Sequence, residues 1–193
     1  MTTRFLLIVS AFLLSLAAAS SLKAGSTEIL SDGWRFQLGT APDSAAEPSF
    51  DDSEWRELRL PHDWAVEGPF EAAGDGGTGK LPWKGQGWYR RTFELPKDGE
   101  GQRVYFDFDG VMAFPKVYVN GELAGEWDYG YNSFRIDATD YVNWGEENLL
   151  AVHVDTRKWG SRWYPGAGIY RKVGMTLTGQ VHLAHWGIQV RAT

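Results

Sequence analysis

Two stretches of the chain combine residue types that do chemistry with residues that turn the backbone. One is Leu60-Pro61-His62-Asp63-Trp64, and the other is Ser161-Arg162-Trp163-Tyr164-Pro165-Gly166-Ala167-Gly168-Ile169-Tyr170-Arg171. Both mix charged, aromatic and turn residues outside any alternating pattern. An aromatic ring packs on the apolar face of a pyranose, while carboxylates and guanidinium groups bond its hydroxyls. His62, Asp63, Arg162 and Trp163 are therefore candidate substrate-binding residues. A plainer reading fits the same residues: Trp64, Trp163 and Tyr164 close the open ends of a sandwich, and Asp63 pairs with an arginine.

Other chemistries find less support. The four histidines, at 62, 153, 182 and 185, lack metal-ligand spacing. His182 and His185 lie three apart, which puts them on opposite faces of a strand. Asp107-Phe108-Asp109-Gly110 places two carboxylates on one strand face, either to hold calcium or flank a sugar, or simply as a solvated face ending in a turn. With no cysteines, there is no thiolate zinc site, disulfide frame or cysteine nucleophile. No glycine-rich loop opens a helix to cradle a phosphate, and no Gly-x-Ser-x-Gly elbow is present. The expectation is no metal and no cofactor.

The elements that must position these residues are strands. Trp34 to Leu38 alternates large apolar with polar residues, the period of a half-buried strand. The same holds for Trp88 to Leu95, Val104 to Phe108, Lys116 to Val119, Phe134 to Asp137, Leu149 to Val154, Val173 to Leu177 and Val181 to Val190. Asn120-Gly121 separates two such runs and predicts a tight hairpin. Asp137 to Val142 predicts a single helical turn capped by Asp137 or Thr139. Gly68 to Gly87 is glycine-rich without regular apolar spacing, hence a long loop of the kind that often carries function. The predicted fold class is all-β, an antiparallel sandwich.

The 193 residues, 43% apolar and 23% charged, suit one globular domain, and the net charge of −6 argues against a nucleic-acid partner. Ten Trp, eight Tyr and ten Phe demand either a thick core or an aromatic binding surface. Arg4, then the uncharged run Phe5 to Ala19, then small residues up to Ala24 read as a secretory signal over 1–24. The run is shorter than the roughly 20 residues a membrane helix needs. The expected mature protein is exported, periplasmic or extracellular, with no membrane segment. Losing Arg4 and Lys23 takes its charge to −8.

In chain order, the motifs resemble the N-terminal sugar-binding domain of glycoside hydrolase family 2, which holds β-galactosidases, β-glucuronidases and β-mannosidases. They are Asp32-Gly33-Trp34-Arg35-Phe36, Asp52-Ser53-Glu54-Trp55, Leu60-Pro61-His62-Asp63-Trp64 and Gly87-Trp88-Tyr89-Arg90-Arg91-Thr92-Phe93. Next come Phe106-Asp107-Phe108-Asp109-Gly110-Val111, Val117-Tyr118-Val119-Asn120-Gly121, Gly130-Tyr131 and Glu147 to Val152. Ser161-Arg162-Trp163-Tyr164 and Gly168-Ile169-Tyr170-Arg171 complete the set. The resemblance covers about residues 28–193. The His-Asp-Trp and Arg-Trp-Tyr forms are most similar to its exported β-galactosidase-like branch.

That resemblance implies a jelly-roll sandwich of the galactose-binding-domain type over residues 25–179. It implies that 180–193, with His185-Trp186-Gly187-Ile188-Gln189-Val190, is the first strand of an immunoglobulin-like second domain. A catalytic (β/α)8 barrel would follow. The family's retaining mechanism uses two carboxyl groups about 5–5.5 Å apart, with the acid/base in an Asn-Glu pair. This chain has no Asn-Glu dipeptide, so the resemblance implies that it does not hydrolyse glycosides alone. Its implied partners are a carbohydrate with a terminal β-linked sugar and the absent barrel and immunoglobulin-like domains. The resemblance puts Asp63 at the sugar subsite. At Arg162 the chain departs from the Asp of one β-galactosidase branch. The alternative reading is a stand-alone, non-catalytic carbohydrate-binding or structural module.

Overall fold

The computed structural model describes residues 24–192 except Asp75, Trp159, Ser161 and Arg162. The expected leader therefore lies outside the described residues, apart from Ala24. The strands are β1 (Ser26–Ile29), β2 (Trp34–Leu38), β3 (Arg56–Leu58), β4 (Gln86–Glu94) and β5 (Arg103–Phe108). They continue with β6 (Lys116–Val119), β7 (Glu122–Glu126), β8 (Phe134–Asp137), β9 (Glu147–Asp155) and β10 (Val173–Thr178). Two antiparallel sheets form, ordered β1-β10-β5-β8 and β3-β2-β4-β9-β6-β7, and they pack as a jelly-roll β-sandwich.

Alternation decides which side chains fill the space between the sheets. Val104, Phe106 and Phe108 of β5 and Val173, Met175 and Leu177 of β10 face Trp34, Phe36, Tyr89, Phe93, Leu150, Val152 and Val154 of the larger sheet. Burying such side chains contributes about 1.5–3 kcal/mol each. The larger sheet is covered on its outer face too, where Ala45, Ala46 and Trp55 pack on Trp88, Leu149 and Ala151. Arg90 is consequently buried in β4. Its Nε donates to Asp52 at 2.6 Å, and its other nitrogens donate to the carbonyls of Ala45, Glu47 and Phe50. The expectation of a half-buried strand over Trp88 to Leu95 is corrected for its first part: Trp88 to Arg90 are buried on both faces, while beyond Arg91 the alternation holds, with Thr92 and Glu94 exposed and Phe93 and Leu95 buried.

The predicted hairpin forms at Asn120 (φ +53°) and Gly121 (φ +91°), joining β6 to β7. A 3-10 turn covers Thr139–Tyr141, and Asp137 Oδ1 accepts from the Thr139 amide at 3.0 Å. The loop before β4 is pinned at its far end, where the Thr156 hydroxyl donates to the Trp83 carbonyl at 2.8 Å.

Val181 to Val190 is not a strand. The segment has no ladder partner among the described residues and leaves Val181, Leu183, Trp186, Ile188 and Val190 exposed. Alternation alone does not make a strand without an edge to pair with. His182 and His185 are consequently not on opposite faces. They sit near Tyr105 (3.4 Å) and Asp107 (3.8 Å), two residues apart on the outer side of β5. Asp107 itself is clamped by Arg135 at 2.6 and 2.8 Å and by the Thr176 hydroxyl at 2.7 Å, a cross-strand pairing and not an ion site.

Candidate functional site

Three segments meet at one end of the sandwich. The amide of His62 donates to the Ile169 carbonyl (2.8 Å), and that of Trp64 to the Ala167 carbonyl (3.0 Å). On the other side of this segment, Gly168 and Met112 exchange both of their backbone hydrogen bonds, at 2.8 and 2.9 Å. The two stretches singled out by residue type, 97 or more residues apart along the chain, are thus joined through their backbones. Gly168 stands at the join with φ +110°, and a side chain there would run into the Tyr89 hydroxyl and the His62 carbonyl.

Asp63 is the N-cap of a 3-10 turn, Trp64–Glu67. Its Oδ1 accepts from the amides of Ala65 (3.0 Å) and Ala167 (3.1 Å), and its Oδ2 from the Tyr164 hydroxyl at 2.5 Å. Burial, then the bond to Asp63 and its charge, hold the Tyr164 hydroxyl protonated far above the usual phenol range. A carboxylate offers about four acceptor positions. Among the described residues, these three donors leave Asp63, which is half-buried, one lone pair on Oδ2. Trp64 lies in the core, stacked 6.0 Å from Phe36.

His62 is turned inward and is 8% exposed. Its Nδ1 lies 2.8 Å from the Tyr89 hydroxyl, and its Nε2 lies 2.7 Å from Arg56 and 3.2 Å from Glu67. Arg56 in turn clamps Glu67 at 2.9 and 3.0 Å. Both ring nitrogens are engaged, so His62 supports the Asp63 segment from behind and has none left for a sugar. Burial pushes its pKa below the ordinary 6.5, a shift opposed by Glu67 and aided by Arg56. Burial also lowers that of His153. A histidine that resists protonation only when folded makes the unfolded chain the better proton binder below pH 6.5. Its stabilising effect is complete above that pH and is lost as pH falls. Melting temperature is therefore expected to drop between pH 7.5 and pH 5.5, and the drop should be shallower in a His62→Gln, His153→Gln double variant. A melting temperature flat or rising on acidification would refute this.

Of the other sequence candidates, Arg162 lies outside the described residues. Trp163 is 65% exposed beside Tyr164, at the rim of the same end. The plainer reading thus holds for Trp64, and Asp63 is seen paired with Tyr164 and two amides. Sequence reasoning missed the set behind His62, the buried Tyr89 and the exposed pair Arg56 and Glu67, whose members stand in separate strand and turn segments. It also missed an exposed aromatic loop, Trp127, Tyr129 and Tyr131, between β7 and β8. Tyr170 ties that loop to the site by donating to the Gly130 carbonyl at 2.7 Å. Among the described residues, no group of three or more His, Asp or Glu could hold a metal ion. No helix among them is long and apolar enough to cross a membrane.

The family model for the sugar binding domain of glycosyl hydrolases family 2 matches residues 79–179. The chain belongs to this family. A β-galactosidase of Bacteroides ovatus is 48% identical over 160 residues, which are 81% of this chain and 19% of that protein. A β-glucuronidase of Formosa agariphila is 30% identical over 165 residues, covering 78% and 17%. Among solved structures, a family 2 member from Bacteroides cellulosilyticus superposes with a TM-score of 0.76 at 35% identity, covering 79% of this chain and 20% of that one. A β-glycosidase from Bacteroides vulgatus gives 0.73 at 41% identity, with the same coverage. The chain spans about a fifth of the length of these relatives. Both the jelly roll and the family 2 sugar-binding assignment expected from the motifs are thereby established, and the matched region is not the part of the family that carries its catalytic domain.

Proposed function

We propose that this domain forms one wall of the sugar subsite in an exported, retaining, β-galactosidase-like exo-glycosidase. The carrying observation is the convergence of the two polar-aromatic stretches at one end, with Asp63 held rigidly and one acceptor position left over. Trp163 supplies an exposed aromatic surface beside it. A rigid acceptor selects a hydroxyl strongly, because a ligand lacking that hydroxyl leaves the acceptor unpaired. Arg162 is kept as a sugar-binding candidate on residue type alone, since a guanidinium offers donors to sugar oxygens. In this reading the catalytic carboxyl pair stands on a barrel outside this chain. Residues 180–193 begin an immunoglobulin-like domain, whose neighbouring strand would cover the exposed row from Val181 to Val190.

The chain alone is expected to show no turnover of aryl β-galactosides. Hydrolysis by the purified chain, abolished by a point substitution within it, would overturn the proposal. Export is checked separately: N-terminal sequencing of secreted protein should find a start between Ser20 and Ser26, and a detergent-extracted protein still starting at Met1 would refute it.

A further inference from the structure

Beside the site, across the segment Met112 to Pro115, lies a groove of about 340 Å³ that the proposed function does not use. We propose that it is an accessory binding site for a neutral pyranoside, with Trp127 as its stacking platform. It is distinct from the Asp63 wall and does not rest on that wall's role.

The platform is fixed before any ligand arrives. Phe108 and Phe134 stack at 4.8 Å and 5°, and Phe134 and Trp127 at 5.6 Å and 11°, a row of rings running from the core to the surface. Trp127 Nε1 donates to Asn132 at 2.9 Å, and its backbone amide to the Pro115 carbonyl at 3.1 Å. One indole face thus lies on Phe134, while the 38% exposed ring lines the groove. A ring already immobilised loses little entropy on stacking against the axial C–H face of a sugar.

The rim selects the ligand class. Lys116 and Lys158 balance Glu126 and Asp128 around it, with Lys116 and Glu126 paired across β6 and β7, and Asp155 is already clamped by Arg157 at 2.7 and 2.9 Å. His153 completes the wall, its pKa lowered by burial, with its ring packed 4.9 Å from Trp88. Balanced charges around the rim favour neither an anion nor a cation. They do offer donors and acceptors to hydroxyls, around a volume in the range of small-ligand sites. A second groove of about 350 Å³ shares Glu126, Trp127 and Asp128, so room exists next to the first for a sugar chain to continue.

The test is saturation-transfer difference NMR on the 193-residue chain with methyl β-galactopyranoside, methyl β-glucopyranoside and methyl β-glucuronide as probes. Millimolar binding of the two neutral glycosides is expected. It should weaken at least tenfold in Trp127→Ala and persist in Trp127→Phe, with both variants melting within a few degrees of the parent. Lys158→Ala should weaken it less than Trp127→Ala does. Three results would each overturn the proposal: no binding of either neutral glycoside at 50 mM, binding unchanged in Trp127→Ala, or preference for the glucuronide. Binding lost in Trp163→Ala but retained in Trp127→Ala would also overturn it, placing the sugar on the Asp63 wall and leaving the proposed function intact.

Discussion

Gly168→Ala is expected to lower the melting temperature by about 8–15 °C and to dismantle the site. At φ +110° an alanine is strained by about 1–3 kcal/mol. Its methyl group would also meet the Tyr89 hydroxyl, the His62 carbonyl at 3.0 Å and the Trp64 ring at 3.2 Å. None of these can retreat: Tyr89 is fully buried, the carbonyl is backbone, and Trp64 is stacked in the core. Overpacking of this kind costs about 1–3 kcal/mol. For a domain of this size each kcal/mol moves the midpoint by about 2–4 °C. Gly39→Ala separates the two causes, since Gly39 also has a positive φ (+99°) but open space around it. It should show only the backbone part. If both variants melt alike and within about 2 °C of the parent, the close packing inferred at Gly168 is wrong.

The reason this glycine matters was not visible in the sequence, although its surroundings were. Alternation located the central strands because each buries a face against the opposite sheet, and Asn120-Gly121 specified its turn through a backbone preference of its own. Both are local signals. The pairing of His62–Trp64 with Ala167–Ile169 is made by backbone groups of distant segments, and no side-chain pattern announces it. The same limit explains the tail: Val181 to Val190 carries the strand period, but a strand also needs a partner edge, and among the described residues it pairs with none. Residue types flagged Asp63 and His62 together because both are polar and adjacent. The extended backbone at Asp63 turns consecutive side chains apart, so His62 enters the core while Asp63 stays at the rim. Only the fold distinguishes the support from the surface.

Asp63 yields the sharpest test of the proposed function, because its structural and sugar-binding roles call on different atoms. If Asp63 served only to bond a sugar, Asp63→Ala would change activity and leave the melting temperature nearly still. The structure revises the second half. Alanine removes the cap of the Trp64–Glu67 turn, a loss of about 0.5–2 kcal/mol. It also strands the Tyr164 hydroxyl and the Ala167 amide, at about 1–3 kcal/mol for a group left buried and unpaired. A drop of about 5–10 °C should accompany a fall in kcat/KM of roughly 10-fold or more in the full-length enzyme. Asp63→Asn separates the roles. Its amide oxygen still accepts from Ala65 and Ala167, and its NH2 group donates to Tyr164 in place of the bond Oδ2 received. The fold is kept, but the charged acceptor facing the subsite is gone. Charge-assisted hydrogen bonds are about twice as strong as neutral ones, so a fall of roughly 5-fold in kcat/KM is expected at a nearly unchanged melting temperature. Full activity in Asp63→Asn, with loss in Asp63→Ala matching only its loss of folded protein, would make Asp63 a cap and nothing more.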